Sequence, residues 1–124
     1  LQHLKKGDVA QLTVQDNQVC LTKSNGSAPL GVLIRKIRVV DKKTRAVKRH
    51  VGEVAFARAL IETDNYDSSQ RYPINANLFV DEEGRFTTKQ PVNEATGVNL
   101  ANPSIGIVTK CPTAIDSTLQ LVWF

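Results

Sequence analysis

Few side chains in this 124-residue chain are of the types and spacings that catalyse reactions or bind metals. Neither His3 nor His50 has a nucleophile or carboxylate at a spacing typical of a catalytic pair. Glu82 and Glu83 are adjacent in a turn, which does not place two carboxylates across a cleft as glycoside hydrolysis requires. A glycine-rich phosphate loop is also missing. The sequence therefore predicts no catalytic residue, no cofactor site and no metal site, and we expect the protein not to be an enzyme.

The two cysteines, Cys20 and Cys111, do not form a CxxC motif and have no histidine at a zinc-ligand spacing. We interpret them as two buried free thiols, with a disulfide as the alternative. The tripeptide Asn25-Gly26-Ser27 fits the glycosylation pattern, but Asn-Gly is also a strong turn signal, and we predict the turn. No apolar run reaches the ~20 residues of a membrane-spanning helix, so we expect no membrane partner.

Basic residues are concentrated in residues 34–50, IRKIRVVDKKTRAVKRH. If this run is a β-hairpin, alternation sends Arg35 and Lys36 to opposite faces, which weakens a nucleic-acid groove. The run also lacks Phe, Tyr and Trp for stacking on bases. Two interpretations remain. The run is either a solvated ribbon whose charges prevent other strands from pairing with a sheet edge, or a surface that docks on another protein. The candidate contact residues are Arg35, Lys36, Arg38, Lys42, Lys43, Arg45, Lys48 and Arg49.

The elements that position these residues are short alternating segments separated by turn signals, a pattern that predicts an all-β fold. Strands are expected over residues 9–14, 18–22, 31–40, 46–50, 53–62, 78–80, 85–88, 105–110 and 119–124. The stretch 54–61, VAFARALI, could also make two helical turns, but its surroundings favour a strand. Loops are predicted at 64–70 and 90–104, the second with a helical turn near 92–96. We expect one domain, residues 1–124, a small β-barrel or sandwich with a long basic hairpin inserted at about 34–50.

Two local features of the second half carry further predictions. Residues 81–84 read as a hairpin turn in which Gly84 adopts a positive φ. Trp123 and Phe124 end the last strand, where aromatic side chains are usually core; the alternative is a contact between subunits.

The net charge of +4, from sixteen Lys and Arg against twelve Asp and Glu, is too small to require a nucleic-acid partner. Acidic residues cluster in 62–67 and 81–83, away from the basic run. Such a separation of charge suits docking on another protein surface.

Four segments, in this order, resemble the capsid decoration or structural cement proteins of tailed bacteriophages. They are residues 6–8 (KGD), 28–33 (APLGVL), 77–88 (NLFVDEEGRFTT) and 105–110 (IGIVTK). The resemblance implies a small β-barrel that binds the outside of an assembled icosahedral shell, often as a trimer, with the major capsid protein as partner and no catalytic residues. The expected location is the exterior of the virion. The alternatives are a nucleic-acid-binding barrel and another virion component, such as a tail or connector protein.

Overall fold

A computed structural model describes residues 4–90 and 104–124 of the chain, and nine β-strands lie within them. The predicted loop beyond residue 90, with its helical turn near 92–96, and His3 fall outside the described residues. The strands are β1 (Val9–Gln15), β2 (Gln18–Lys23), β3 (Gly31–Val40), β4 (Val47–Ala55), β5 (Leu60–Thr63), β6 (Asn77–Val80), β7 (Phe86–Thr87), β8 (Gly106–Lys110) and β9 (Leu119–Trp123).

These strands form two antiparallel sheets, the first in the order β2-β1-β3-β4 and the second in the order β5-β9-β8-β6-β7. The described strands do not close into a barrel. The predicted all-β fold class is confirmed.

One apolar core joins the two sheets. Val9 and Val32 of the first sheet pack with side chains of the second, among them Leu78, Phe86 and Leu121, each of which is buried. Because successive residues of a strand face opposite sides, Ala10 and Leu33 lie on the other face of the first sheet. There they form a smaller buried cluster with Leu4. The first sheet is thus packed on both faces, but only near its middle.

Residues 54–61 correct one prediction. The sequence predicts one strand from 53 to 62, whereas β4 ends at Ala55 and β5 begins at Leu60, in different sheets. Between them Ala57 and Arg58 have positive φ angles of 43° and 64°. The break expected after His50 is also wrong, since β4 continues without interruption through residues 51 and 52.

The two hairpins of the first sheet extend in opposite directions. Strands β1 and β3 pair only at Val9 with Val32 and at Ala10 with Gly31. From that short overlap β1 continues one way toward its turn with β2, and β3, being antiparallel, continues the other way toward its turn with β4. Among the described strands, none pairs with the outer part of either hairpin, so most of each hairpin is a two-stranded ribbon.

Candidate docking surface

The basic residues predicted as contacts lie on the part of the β3–β4 hairpin that extends past the sheet, residues 34–53, which we call the basic ribbon. Within it only Val39, Asp41 and Gly52 are partly buried, and all other residues are exposed. The ribbon contains eight basic and two acidic residues, a net charge of +6, while the whole chain has +4. The remainder of the chain therefore has a net charge of −2, and only the projecting ribbon has a net positive charge.

Strand register distributes the basic side chains over both faces of the ribbon. Directly opposed residues of an antiparallel pair share a face. Lys36 lies opposite Gly52, and Arg38 opposite His50, so these two basic residues share one face, the Lys36 face. Ile37 lies opposite Val51 on the other face, the Ile37 face. As alternation predicts, the cations do not gather on one side.

The Ile37 face carries two of the remaining strand cations of the ribbon, Arg35 and Arg49. Arg35 lies opposite Glu53, and its guanidinium forms an ion pair with that carboxylate. Arg49 lies opposite Val39. Lys48 lies at a register shift and has no opposed residue that would assign it to either face; its ammonium is 3.8 Å from the carboxylate of Asp41. The Ile37 face therefore mixes three aliphatic side chains, Ile37, Val39 and Val51, with two cations, of which Arg35 is neutralised by Glu53.

The tip of the ribbon presents Lys42, Lys43 and Arg45 around an ordered loop. The Asp41 carboxylate accepts hydrogen bonds from the backbone N–H groups of Lys43 (2.8 Å) and Thr44 (3.1 Å). These bonds, the one to Thr44 first, lower the pKa of the Asp41 carboxyl. The loop is held through backbone groups and does not use its three cationic side chains. These side chains are exposed and available to a partner.

The predicted subunit-contact residues, Trp123 and Phe124, differ in their surroundings. Trp123 is only 6% exposed and meets the ring of Phe86 edge to face, with ring centroids 6.0 Å apart. Phe124 is 58% exposed. Trp123 is thus a core residue in the single chain, and only Phe124 presents a large apolar surface at this end of β9.

Other candidate groups do not come together. Cys20 and Cys111 are free, and both are partly buried, not fully buried as predicted. His50 is exposed on β4. Across residues 4–90 and 104–124, no three His, Cys, Asp or Glu side chains are grouped so that they could hold a metal ion. The same residues include no helix long and apolar enough to cross a membrane.

Sequence reasoning missed a second exposed surface, on the β1–β2 hairpin. Leu12 lies opposite Leu21 and Val14 opposite Val19, on the same face of the sheet as Ala10. We call these four side chains the apolar ladder. The alternation of residues 9–14 and 18–22 predicts two strands, each with one apolar face, but alternation cannot tell whether anything covers that face.

Comparisons with protein-family models, with curated proteins and with solved structures found no match. The resemblance to decoration proteins therefore depends on the four short segments named above. In the structure these segments precede β1, lead into β3, and form the β6–β7 hairpin and β8. They supply buried core residues such as Val32, Leu78 and Val108. The resemblance thus concerns the scaffold, whereas the basic ribbon lies outside it.

Proposed function

We propose that this protein is a structural virion component that binds the outer surface of an assembled phage capsid and stabilises it. Its partner is the major capsid protein, and it acts on the exterior of the virion without catalysing a reaction. The resemblance of four segments to decoration proteins supports this class. The observation that carries the proposal is the basic ribbon, a projecting element of net charge +6 on a chain whose remainder has −2.

The ribbon suits a protein partner in two ways. Its cations lie on both faces and at the tip, and the opposed aliphatic side chains Val40 and Val47 are exposed beside the tip. A surface that mixes aliphatic and cationic groups fits an acidic protein surface with apolar patches. Stacking on nucleobases would require aromatic rings, and residues 34–53 contain no Phe, Tyr or Trp.

Stabilisation follows from mass action. A ligand that binds the assembled shell and not its separated subunits shifts the equilibrium against disassembly. Exposed ion pairs contribute only ~0.2–1 kcal/mol each, so one ribbon binds weakly. Several ribbons on one oligomer engage the shell together and raise the effective affinity without new kinds of contact. We propose a homo-oligomer for this reason, and the resemblance favours a trimer.

Binding to intact particles tests the proposal. Purified protein added to particles that lack it should sediment with them, and the decorated particles should survive heating that opens undecorated ones. Failure to sediment with intact shells would exclude the function. Tight binding to naked DNA with a steep loss of affinity as salt rises would instead favour a nucleic-acid-binding module, which the charge of the ribbon alone permits.

A further inference from the structure

The apolar ladder is the most exposed aliphatic surface of the β1–β2 hairpin. Leu12, Val14 and Val19 are 53%, 72% and 67% exposed. The opposite face of the same ribbon carries polar residues and a thiol, namely Gln11, Thr13, Gln15, Gln18, Cys20 and Thr22. Isolated two-stranded hairpins are marginally stable in water, and contiguous exposed apolar patches mark interaction sites. The ladder therefore has the character of a contact surface.

The Ile37 face of the basic ribbon is a second exposed aliphatic surface of the same kind. Ile37 and Val51 face each other across the strands and are each 41% exposed. Val39 lies two residues further along the same face and is partly buried. The ion pair between Arg35 and Glu53 neutralises the cation nearest the base of the ribbon. Both surfaces thus present aliphatic cross-strand pairs on a two-stranded ribbon.

These two surfaces cannot cover each other within one chain. The two hairpins leave their short overlap, Val9 with Val32 and Ala10 with Gly31, in opposite directions. The ladder lies on the face of the first sheet that carries Ala10 and Leu33, and Ile37 lies on the other face. Because the two surfaces lie at opposite ends and on opposite faces of the first sheet, the ladder of one copy can meet the Ile37 face of the next, and identical copies can join head to tail.

The charges of the two surfaces favour contact between a ribbon and a ladder over contact between two ribbons. Two basic ribbons packed together would bring two net charges of +6 into contact, which like-charge repulsion opposes. The β1–β2 hairpin carries one negative and one positive residue: Asp16 lies in its turn, next to the exposed pair Val14 and Val19, and Lys23 lies at the other end, opposite Ala10. Contact between a ribbon and the outer part of a ladder therefore avoids this repulsion and brings the positive ribbon next to Asp16. It also buries aliphatic surface on both sides.

We infer that the apolar ladder of one copy binds the Ile37 face of a second copy. The contact is heterologous, so repeated copies close into a ring if the rotation between them allows it and otherwise form an open chain. The Lys36 face and the cationic tip remain outside this contact. The contact involves only copies of this chain and forms without a capsid.

Two variants with complementary defects test the contact. Val14→Lys with Val19→Thr disrupts the ladder, and Ile37→Lys with Val51→Thr disrupts the Ile37 face. Gln15→Lys with Gln18→Thr places the same two new side chains on the polar face of the β1–β2 hairpin as a matched control. Sedimentation equilibrium over a wide concentration range gives the mass of each protein, and circular dichroism checks that each is folded.

Wild type and the control should associate, and each disrupted variant alone should associate at least tenfold more weakly. An equimolar mixture of the two disrupted variants should form a 1:1 dimer and nothing larger, because the mixture retains one intact ladder and one intact Ile37 face per pair. A monomeric wild type would overturn the inference, as would association of the ribbon variant at wild-type strength, which would indicate ladder-to-ladder contact. If a disrupted variant does not fold, Leu12→Thr and Val39→Thr probe the same two surfaces with smaller changes.

Discussion

Gly84 lies so close to Ser24 that a β-carbon on Gly84 would be 2.7 Å from the backbone carbonyl oxygen of Ser24. Gly84 also has the positive φ, +77°, that the sequence predicts for this turn. Gly26 is constrained in the same way. Its φ is +89°, and a β-carbon on Gly26 would clash with the carbonyl oxygen of Val80 at 2.6 Å. Two turns, one from each sheet, thus pack backbone against backbone through a glycine on each side.

Replacing Gly84 with valine should destabilise the protein. A β-branched residue at positive φ costs ~1–3 kcal/mol, and the close contact with Ser24 adds to this strain. Equilibrium denaturation in urea measures the loss of unfolding free energy. Glu82→Val is the matched control, because it places the same side chain at an exposed position of the same turn and should change stability by about 0.5 kcal/mol or less. Equal stability of the two variants would show that the turn tolerates a side chain at position 84.

The contrast between this turn and residues 54–61 shows what sequence predicts in this chain. The 81–84 turn is specified locally, by a glycine and by Asp81, whose carboxylate accepts hydrogen bonds from the N–H groups of Glu83 and Arg85. The chain break at Ala57 and Arg58 has no such local signal. The break is fixed by β9. The backbone N–H of Arg58 donates to the carbonyl oxygen of Trp123, and the backbone N–H of Trp123 donates to the carbonyl oxygen of Ala59. Contacts across more than sixty residues are not readable from a local pattern.

The same distinction applies to the candidate surface. Alternation predicts that Arg35 and Lys36 lie on opposite faces, because a strand has a period of two whatever surrounds it. It does not predict that Val14 and Val19 are exposed. That depends on how far β3 overlaps β1, and the overlap is set by tertiary packing around Val9 and Val32.

Lys110 holds the loop after β8 by a network of polar contacts. Its ammonium forms an ion pair with Asp116. The same ammonium lies 3.1 Å from the Glu62 carboxylate and 3.0 Å from the Thr118 hydroxyl. The hydroxyl of Thr118 in turn donates to Glu62 at 2.8 Å. The contact with Lys110 lowers the pKa of the Asp116 carboxyl, and the bond from Thr118 lowers that of Glu62. The network connects β5, β8 and the 111–118 loop.

These lowered pKa values predict a dependence of stability on pH. A carboxyl group whose folded pKa lies below its unfolded value, about 4, contributes stability that is complete above that pH and is lost as pH falls through the folded pKa. Asp116→Asn should therefore lower the melting temperature at pH 7, and its difference from wild type should shrink below about pH 4. Thermal denaturation from pH 7 to pH 2 makes the comparison, with Asp16→Asn in the β1–β2 turn as control. A difference that stays constant over this range would contradict the assignment.

Trp123 and Phe124 should respond differently to truncation. Trp123→Ala removes a buried ring that packs on Phe86 and should cost ~3–5 kcal/mol of unfolding free energy. Phe124→Ala removes a half-exposed ring and should cost less than about 1 kcal/mol. If Phe124 contacts a neighbouring subunit, its truncation weakens association while leaving the fold intact. Denaturation and sedimentation of both variants separate the two roles, and a Trp123→Ala protein as stable as wild type would place that ring outside the core.

Reversing the charge at the ribbon tip should release the protein from capsids without unfolding it. Lys42, Lys43 and Arg45 are exposed, and the loop that carries them is held by backbone hydrogen bonds to Asp41, which survive a change of side chain. Exposed ion pairs contribute ~0.2–1 kcal/mol each, so losing three should weaken binding by a factor of about 3 to 150 per ribbon. Lys42→Glu, Lys43→Glu and Arg45→Glu together should therefore lower occupancy on particles and make them open at lower temperature.

The control for this variant changes the net charge equally but elsewhere. Lys5, Lys6 and Lys89 are exposed and lie outside the ribbon, so their joint replacement by Glu alters the net charge of the chain by the same amount. If binding depends on the ribbon, this control should retain more occupancy than the tip variant, and replacing the three tip residues by Gln should give an intermediate loss. Equal occupancy for the tip variant and wild type, with unchanged particle stability, would mean that the cations only keep the ribbon in solution and protect its edge from other strands.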